Sequence, residues 1–165
     1  MRNMLSSSLF VVTIVLAACG GSPPPTAPVA ADHGQPKMQA ALEALQHAQA
    51  ETTAAEANKG GHREKALGLI QQAIEAVNSG IQYAAAHASE VGTAEGPAAP
   101  EPVDEDVKGA GNQPHMAGAV VALREARKQL REAKHDKGGF REQALTLTQQ
   151  AMEQLKEGIR FADKH

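Results

Sequence analysis

The chain of 165 residues has one cysteine, no tryptophan, one tyrosine and three phenylalanines. A lone thiol excludes an intrachain disulfide and a multi-thiolate metal site. Phe10 lies in the N-terminal apolar segment, so Tyr83, Phe140 and Phe161 are the only rings of the remaining chain. Three are too few for a stacking platform for sugars or single-stranded nucleic acid. Membrane-spanning runs are lacking too: Leu9 to Ala18 is an apolar stretch of ten residues, against the roughly 20 that a spanning helix needs. There is no Gly-x-x-x-x-Gly-Lys, no Gly-x-Ser-x-Gly and no His-Glu-x-x-His, which leaves no phosphate loop, nucleophile elbow or zinc-hydrolase pair to carry chemistry. The chain reads as non-enzymatic, and no cofactor is implied.

What the N-terminus does have is Arg2, a short apolar core and then Leu16-Ala17-Ala18-Cys19. Residues 1–18 have the form of a secretory signal. The Leu-Ala-Ala-Cys run resembles the lipobox of bacterial lipoproteins. That resemblance implies cleavage before Cys19, a diacylglyceryl group on its sulfur and an acyl chain such as palmitate on its new amino group. The bland alternative is a plain signal peptide with a chance cysteine. Each buried methylene contributes about 0.8 kcal/mol, so two or three chains anchor the protein stably without spanning the bilayer. Gly20 and Gly21 are not the aspartate that holds many such lipoproteins at the inner membrane. In a two-membrane bacterium the expected location is therefore the outer membrane, facing the periplasm.

Residues 19–34 carry the lipid-bearing Cys19 and three consecutive prolines among small residues, a composition suited to an extended, disordered tether. Residues 88–112 form a second low-complexity stretch, with six acidic residues and only Lys108 to offset them, and read as a disordered linker. The segments 35–87 and 113–165 superpose without a gap at an offset of 78. Pro36 matches Pro114, Met38 Met116, Leu45 Leu123, Ala73 Ala151, Gly80 Gly158 and Ile81 Ile159. The chain is thus one unit of 53 residues used twice.

Each copy predicts two helices. Pro36 and Pro114 suit a first helical position. After them apolar residues recur at three and four: Met38, Leu42, Leu45, Ala48, Thr52 and Ala55, then Met116, Val120, Leu123, Ala126, Leu130 and Ala133. The pairs Gly60-Gly61 and Gly138-Gly139 predict a hairpin turn, the first glycine closing the helix in a left-handed conformation and the second letting the chain reverse. The second helices carry Leu67, Ile70, Ile74, Val77 and Ile81 in one copy and Leu145, Thr148, Met152, Leu155 and Ile159 in the other. Beside these seams run Ala66, Ala73 and Gly80, and Ala144, Ala151 and Gly158, small residues one heptad apart that permit a close neighbour. One hairpin buries too little to offset its ordering entropy. The expected fold is therefore all-α, two tandem hairpins packing as an antiparallel four-helix bundle. The competing arrangement is a homo-oligomer in which two chains pair hairpin to hairpin.

Seven histidines, at 33, 47, 62, 87, 115, 135 and 165, raise the question of metal. No two are three or four apart, the spacing by which one helix face offers two imidazoles. His87 and His165 alone occupy matching positions, which makes them the first metal-ligand candidates, with His33 or His115 as further donors at helix starts. Helical hairpins with glycine-rich turns resemble the periplasmic small metal-binding protein, a histidine-rich four-helix bundle. That resemblance implies a periplasmic metal- or cofactor-binding role as the alternative to a structural one. The Lys59-Gly60-Gly61-His62-Arg63 turn is similar to those of bacterial secreted helical repeats. Finally, Arg124, Arg127, Lys128, Arg131 and Lys134 follow helical spacing as a basic strip beside the apolar stripe. It reads as a solvated flank, paired in part with Glu125 and Glu132, or as a contact for an envelope protein or anionic lipid headgroups. Export makes nucleic acid an improbable partner.

Overall fold

A computed structural model describes residues 35–57, 60–87, 113–134 and 138–164. They form four helices: α1 (Pro36–Ala54), α2 (His62–Ala86), α3 (Pro114–Glu132) and α4 (Phe140–Ala162). No strand accompanies them among the described residues. Pro36 and Pro114 open α1 and α3, where the missing N–H forfeits no intrahelical bond. The signal segment, Cys19, the tether, the linker, Lys59, His33, His135 and His165 lie outside the described residues.

The bundle is a square. α1 packs on α2 and α3, α4 packs on α2 and α3, and the backbones of the diagonal pairs stay apart. Lys37, at the start of α1, pairs with Glu132 at the end of α3. His115, at the start of α3, reaches Glu51 near the end of α1. All neighbours are therefore antiparallel. One end of the bundle gathers Gln35, His87, Ala133 and Phe140, and the other gathers Ala54, His62, His115 and Ala162. Because α2 finishes at the Gln35 end and α3 begins at the His62 end, residues 88–112 connect opposite ends of the molecule.

The closest pairs are α1 with α3 and α2 with α4, helices from different copies, so the hairpins share one interior. Small residues explain this choice. Ala66, Ala73 and Gly80 of α2 and Ala144, Ala151 and Gly158 of α4 are all buried, as the heptad spacing anticipated. The first helices hold an equivalent set: Ala41, Ala48 and Ala55, with Ala119, Ala126 and Ala133, all buried. A side chain no larger than a methyl at the contact line lets two helix axes approach, while larger neighbours fill the flanks. For that reason Leu42, Leu67 and Leu145, placed in the seams by periodicity, are only half-buried. The centre is filled by Met38, Leu45, Ile70, Val77, Met116, Leu123, Leu130, Met152 and Leu155, each fully buried. Among the described residues the core cluster runs from Met38 to Ile159 and draws on all four helices. Thr52 and Thr148 are buried with them, each hydroxyl donating to the carbonyl four residues back at 2.7 Å.

The turns differ from expectation in one respect. α1 and α3 end in extended residues, Ala55 (ψ 147) and Ala133 (ψ 145), not in a left-handed glycine. The left-handed residues are the second glycines, Gly61 (φ 68) and Gly139 (φ 75), at the caps that open α2 and α4. The first glycines serve close approach: a Cβ at Gly60 would stand 2.7 Å from the His62 ring, and one at Gly138 would stand 2.6 Å from the Phe140 ring. The arginine after each turn folds back on the preceding helix. Arg63 Nε donates to the Thr52 carbonyl at 3.0 Å and Nη2 to that of Thr53 at 2.7 Å. Arg141 Nη1 donates to the Ala133 carbonyl at 2.8 Å. Both supply donors to carbonyls that a helix end leaves without intrahelical partners.

Candidate functional site

The two ends of the bundle are built from the same contact and finished differently. At the Gln35 end, Tyr83 of α2 meets Phe140 of α4, ring centroids 5.9 Å apart. At the other end His62 of α2 meets Phe161 of α4, centroids 6.3 Å apart. Since 62 matches 140 and 83 matches 161, the aromatic positions cap both ends of the α2·α4 pair.

Among the described residues, histidine and carboxylate side chains concentrate at the His62 end. His62 Nδ1 lies 3.2 Å from Gln154 Oε1 and 3.4 Å from Glu157 Oε2. Across the α1·α3 seam His115 Nδ1 lies 2.9 Å from Glu51 Oε2, and His47 Nε2 approaches the other oxygen at 3.6 Å. Glu51 can lie there because the residue opposite is glycine: a Cβ at Gly118 would stand 3.0 Å from Glu51 Oε2. His47 and Glu51 are four apart on one helix face, a spacing that a search for paired histidines passes over. The link to His115 is tertiary and has no signature in the sequence.

Of the metal-ligand candidates His87 and His115 are described, and they lie at opposite ends of the bundle. His87 sits at the Gln35 end, stacked on Tyr83 with centroids 4.1 Å apart and planes 19° apart, its Nδ1 3.0 Å from the Tyr83 carbonyl oxygen. α4 runs the other way and finishes, at Ala162, on the opposite end. Among the described residues no group of three or more His, Cys, Asp or Glu side chains is arranged to hold a metal ion.

The basic strip of α3 is not a uniform solvated flank. Arg127 is only 3% exposed, and its Nη1 donates to Gln149 Oε1 of α4 at 2.6 Å. The matching bond in the first copy joins Gln49 Nε2 to Gln71 Oε1 at 2.7 Å; the second copy has placed a guanidinium in a neutral amide's position. Arg127 and Arg131 line a groove of about 640 Å³ between α3 and α4, with Leu145, Gln149 and Glu153 on its other wall. It is open along its length, as are the grooves between α2 and α4 and beside His62. The acidic residues expected beside Lys128 take other hydrogen-bond partners, while the Lys128 charge still acts on Glu132. Glu125 accepts from Gln129 at 2.6 Å. Glu132 takes Lys37 across the seam, and that hydrogen bond, aided by the charges of Lys37 and Lys128, holds its carboxyl below the usual range. No described helix is long and apolar enough to cross a membrane.

The chain matches no protein-family model, no curated protein and no solved structure.

Proposed function

We propose that this chain is a non-enzymatic, lipid-anchored protein of the bacterial cell envelope, facing the periplasm from the outer membrane, in which a rigid helical body is presented on a tether for a structural or protein-interaction role. The observation that carries this reading is the division of labour within the repeat. Many positions that match between copies serve the interior and the turns: the alanine seams, the Gly-Gly pairs and the back-folded arginines. Most outer-face positions differ between copies, whereas the interior positions that differ keep their burial, as Thr52 and Leu130, Ile70 and Thr148, and Val77 and Leu155 do. The buried threonines bond to their own helices. Such a body suits presentation more than turnover. The lipobox at Leu16 to Cys19 supports the anchor, and the Pro-rich residues 22–25 support a tether.

The test has two arms. Metabolic labelling with a palmitate analogue should mark the wild-type chain and not Cys19→Ala; labelling that survives the substitution overturns the anchor. Elemental analysis of residues 35–165 should find no stoichiometric metal. Tight, stoichiometric binding lost on changing His87 or the His47 and His115 pair would favour the metal-binding alternative.

A further inference from the structure

We infer that the Gln35 end of the bundle is a docking face for the anionic lipid headgroups of the membrane that carries the anchor, so that the bundle stands on the bilayer with its His62 end outward. The inference rests on the anchored reading above for its biological setting.

Three observations meet at this end. The first is topology: α1 begins here, so the 34 residues that precede Gln35, Cys19 among them, join the body at this end. The second is charge. In the described helix turns nearest this end, Lys37, Arg127, Lys128, Arg131, Lys134 and Arg141 outweigh Glu132 and Glu142, whereas the corresponding turns at the His62 end carry as many acidic as basic residues. The third is the comparison that duplication provides. Gln46, Gln49, Ala50, Thr53 and Glu56 of α1 and its end correspond to Arg124, Arg127, Lys128, Arg131 and Lys134. The antiparallel packing of α1 on α3 puts the two sets at opposite ends. One backbone plan tolerates either set, and the basic one stands only where the tether leaves.

The physics favours lipid over a diffusing partner. A tether of 16 residues from Cys19 to Gly34 at about 3.1 Å per residue confines the body within roughly 50 Å of the surface. Inside that shell the basic end meets an anionic surface whose field extends about one Debye length, ~8 Å at physiological salt. Intramolecular delivery raises the effective concentration of headgroups at this end. Lys128 is exposed, and Arg131 and Lys134 are half-exposed, so their charges can reach phosphate without opening the fold.

The experiment uses residues 19–165 coupled through the Cys19 thiol to a maleimide lipid, so its outcome does not depend on whether the cell lipidates that residue. Neutron reflectometry reads the height of the protein layer on supported bilayers with and without phosphatidylglycerol. On the anionic bilayer at low salt the layer should lie against the headgroups, and 0.5 M salt should lift it by about 10 Å or more within the tether's reach. The combined variant Lys128→Ala, Arg131→Thr, Lys134→Glu installs what the first copy carries at those positions, so the fold should hold, and it should stand as high as in salt. A control with the same change in net charge at the other end, Lys65→Ala, Arg160→Ala, Lys164→Glu, should stay down. Equal heights on neutral and anionic bilayers, or equal loss in both variants, overturn the inference. So does a layer that never descends, the result if the acidic residues 88–112 or a soluble acidic protein are what the strip takes. Absence of palmitate labelling in cells would instead remove the anchored reading and leave this measurement standing.

Discussion

Tyr83 lies against Phe140 with 53° between the rings, and His62 lies against Phe161 with 55° between theirs. Each pair is the other displaced by 78 residues with partners exchanged, as a two-fold relation between copies requires. The same relation turns Gln49–Gln71 into Arg127–Gln149. Pairing between copies is therefore built into the matched positions, and it makes the hairpins one body.

Replacing Phe140 by alanine should remove a half-buried ring that covers the Gln35 end of the α2·α4 pair. The expected loss is about 1–3 kcal/mol, below that of a core phenylalanine because the ring is partly exposed. Phe140→His should lose less, since the matching position holds His62 in the same geometry. Urea denaturation followed by circular dichroism compares the two; equal losses would contradict the equivalence of the end contacts.

The glycines of each turn should fail differently. Gly139→Ala places a Cβ on left-handed backbone with open space around it, and should cost about 1–2 kcal/mol whatever its neighbours are. Gly138→Ala instead collides with the Phe140 ring, so its cost should shrink in a Phe140→Ala background. A double-mutant cycle reads that coupling directly. Gly68, inside α2 with nothing within 4 Å of a new Cβ, should gain about 0.5–1 kcal/mol as alanine.

The helices, the turns and the mutual packing of the hairpins were legible because each follows a short-range rule: proline at an opening position, glycine pairs, three-four spacing and insufficient core in one hairpin. The partner choice was half legible. Ala66, Ala73 and Gly80 announced a close neighbour, but in α1 periodicity gave weight to Leu42 and passed over Ala41. An alanine at a contact line has no hydrophobic bulk to distinguish it from a filler. The His47–Glu51–His115 arrangement was not legible, because His115 reaches Glu51 across 64 positions through a helix pairing that no local pattern specifies. Arg127 misled for a similar reason: its spacing placed it with exposed neighbours, and only the amide of Gln149 on α4 shows why it turns inward.

Enlarging an alanine at a seam should therefore cost more than truncating a neighbouring leucine. Ala126→Leu adds bulk where α1 and α3 approach, and overpacking of this kind costs about 1–3 kcal/mol. Leu42→Ala, half-buried on the flank, should cost less than the 2–5 kcal/mol of a fully buried leucine. If the order is reversed in chemical denaturation, the small residues do not set the α1·α3 approach.

Acid should weaken the α1·α3 seam through Glu132. Lys37 donates to its carboxylate, and that bond, with the charges of Lys37 and Lys128, lowers the pKa of the folded state. The unfolded chain titrates near the ordinary glutamate value of about 4.3. A group whose folded pKa is depressed contributes stability that is present above the unfolded pKa and is lost as pH falls through the folded one. The wild type should therefore exceed Glu132→Gln in stability at pH 7, and the gap should close as pH falls below about 4. Lys37→Met should reduce the stability at pH 7 and flatten the same acid limb, because Lys37 is the main cause of the shift. Urea midpoints at pH 7, 5 and 3 decide this: a gap between wild type and Glu132→Gln that persists undiminished at pH 3 means the carboxylate's charge is not what the seam uses.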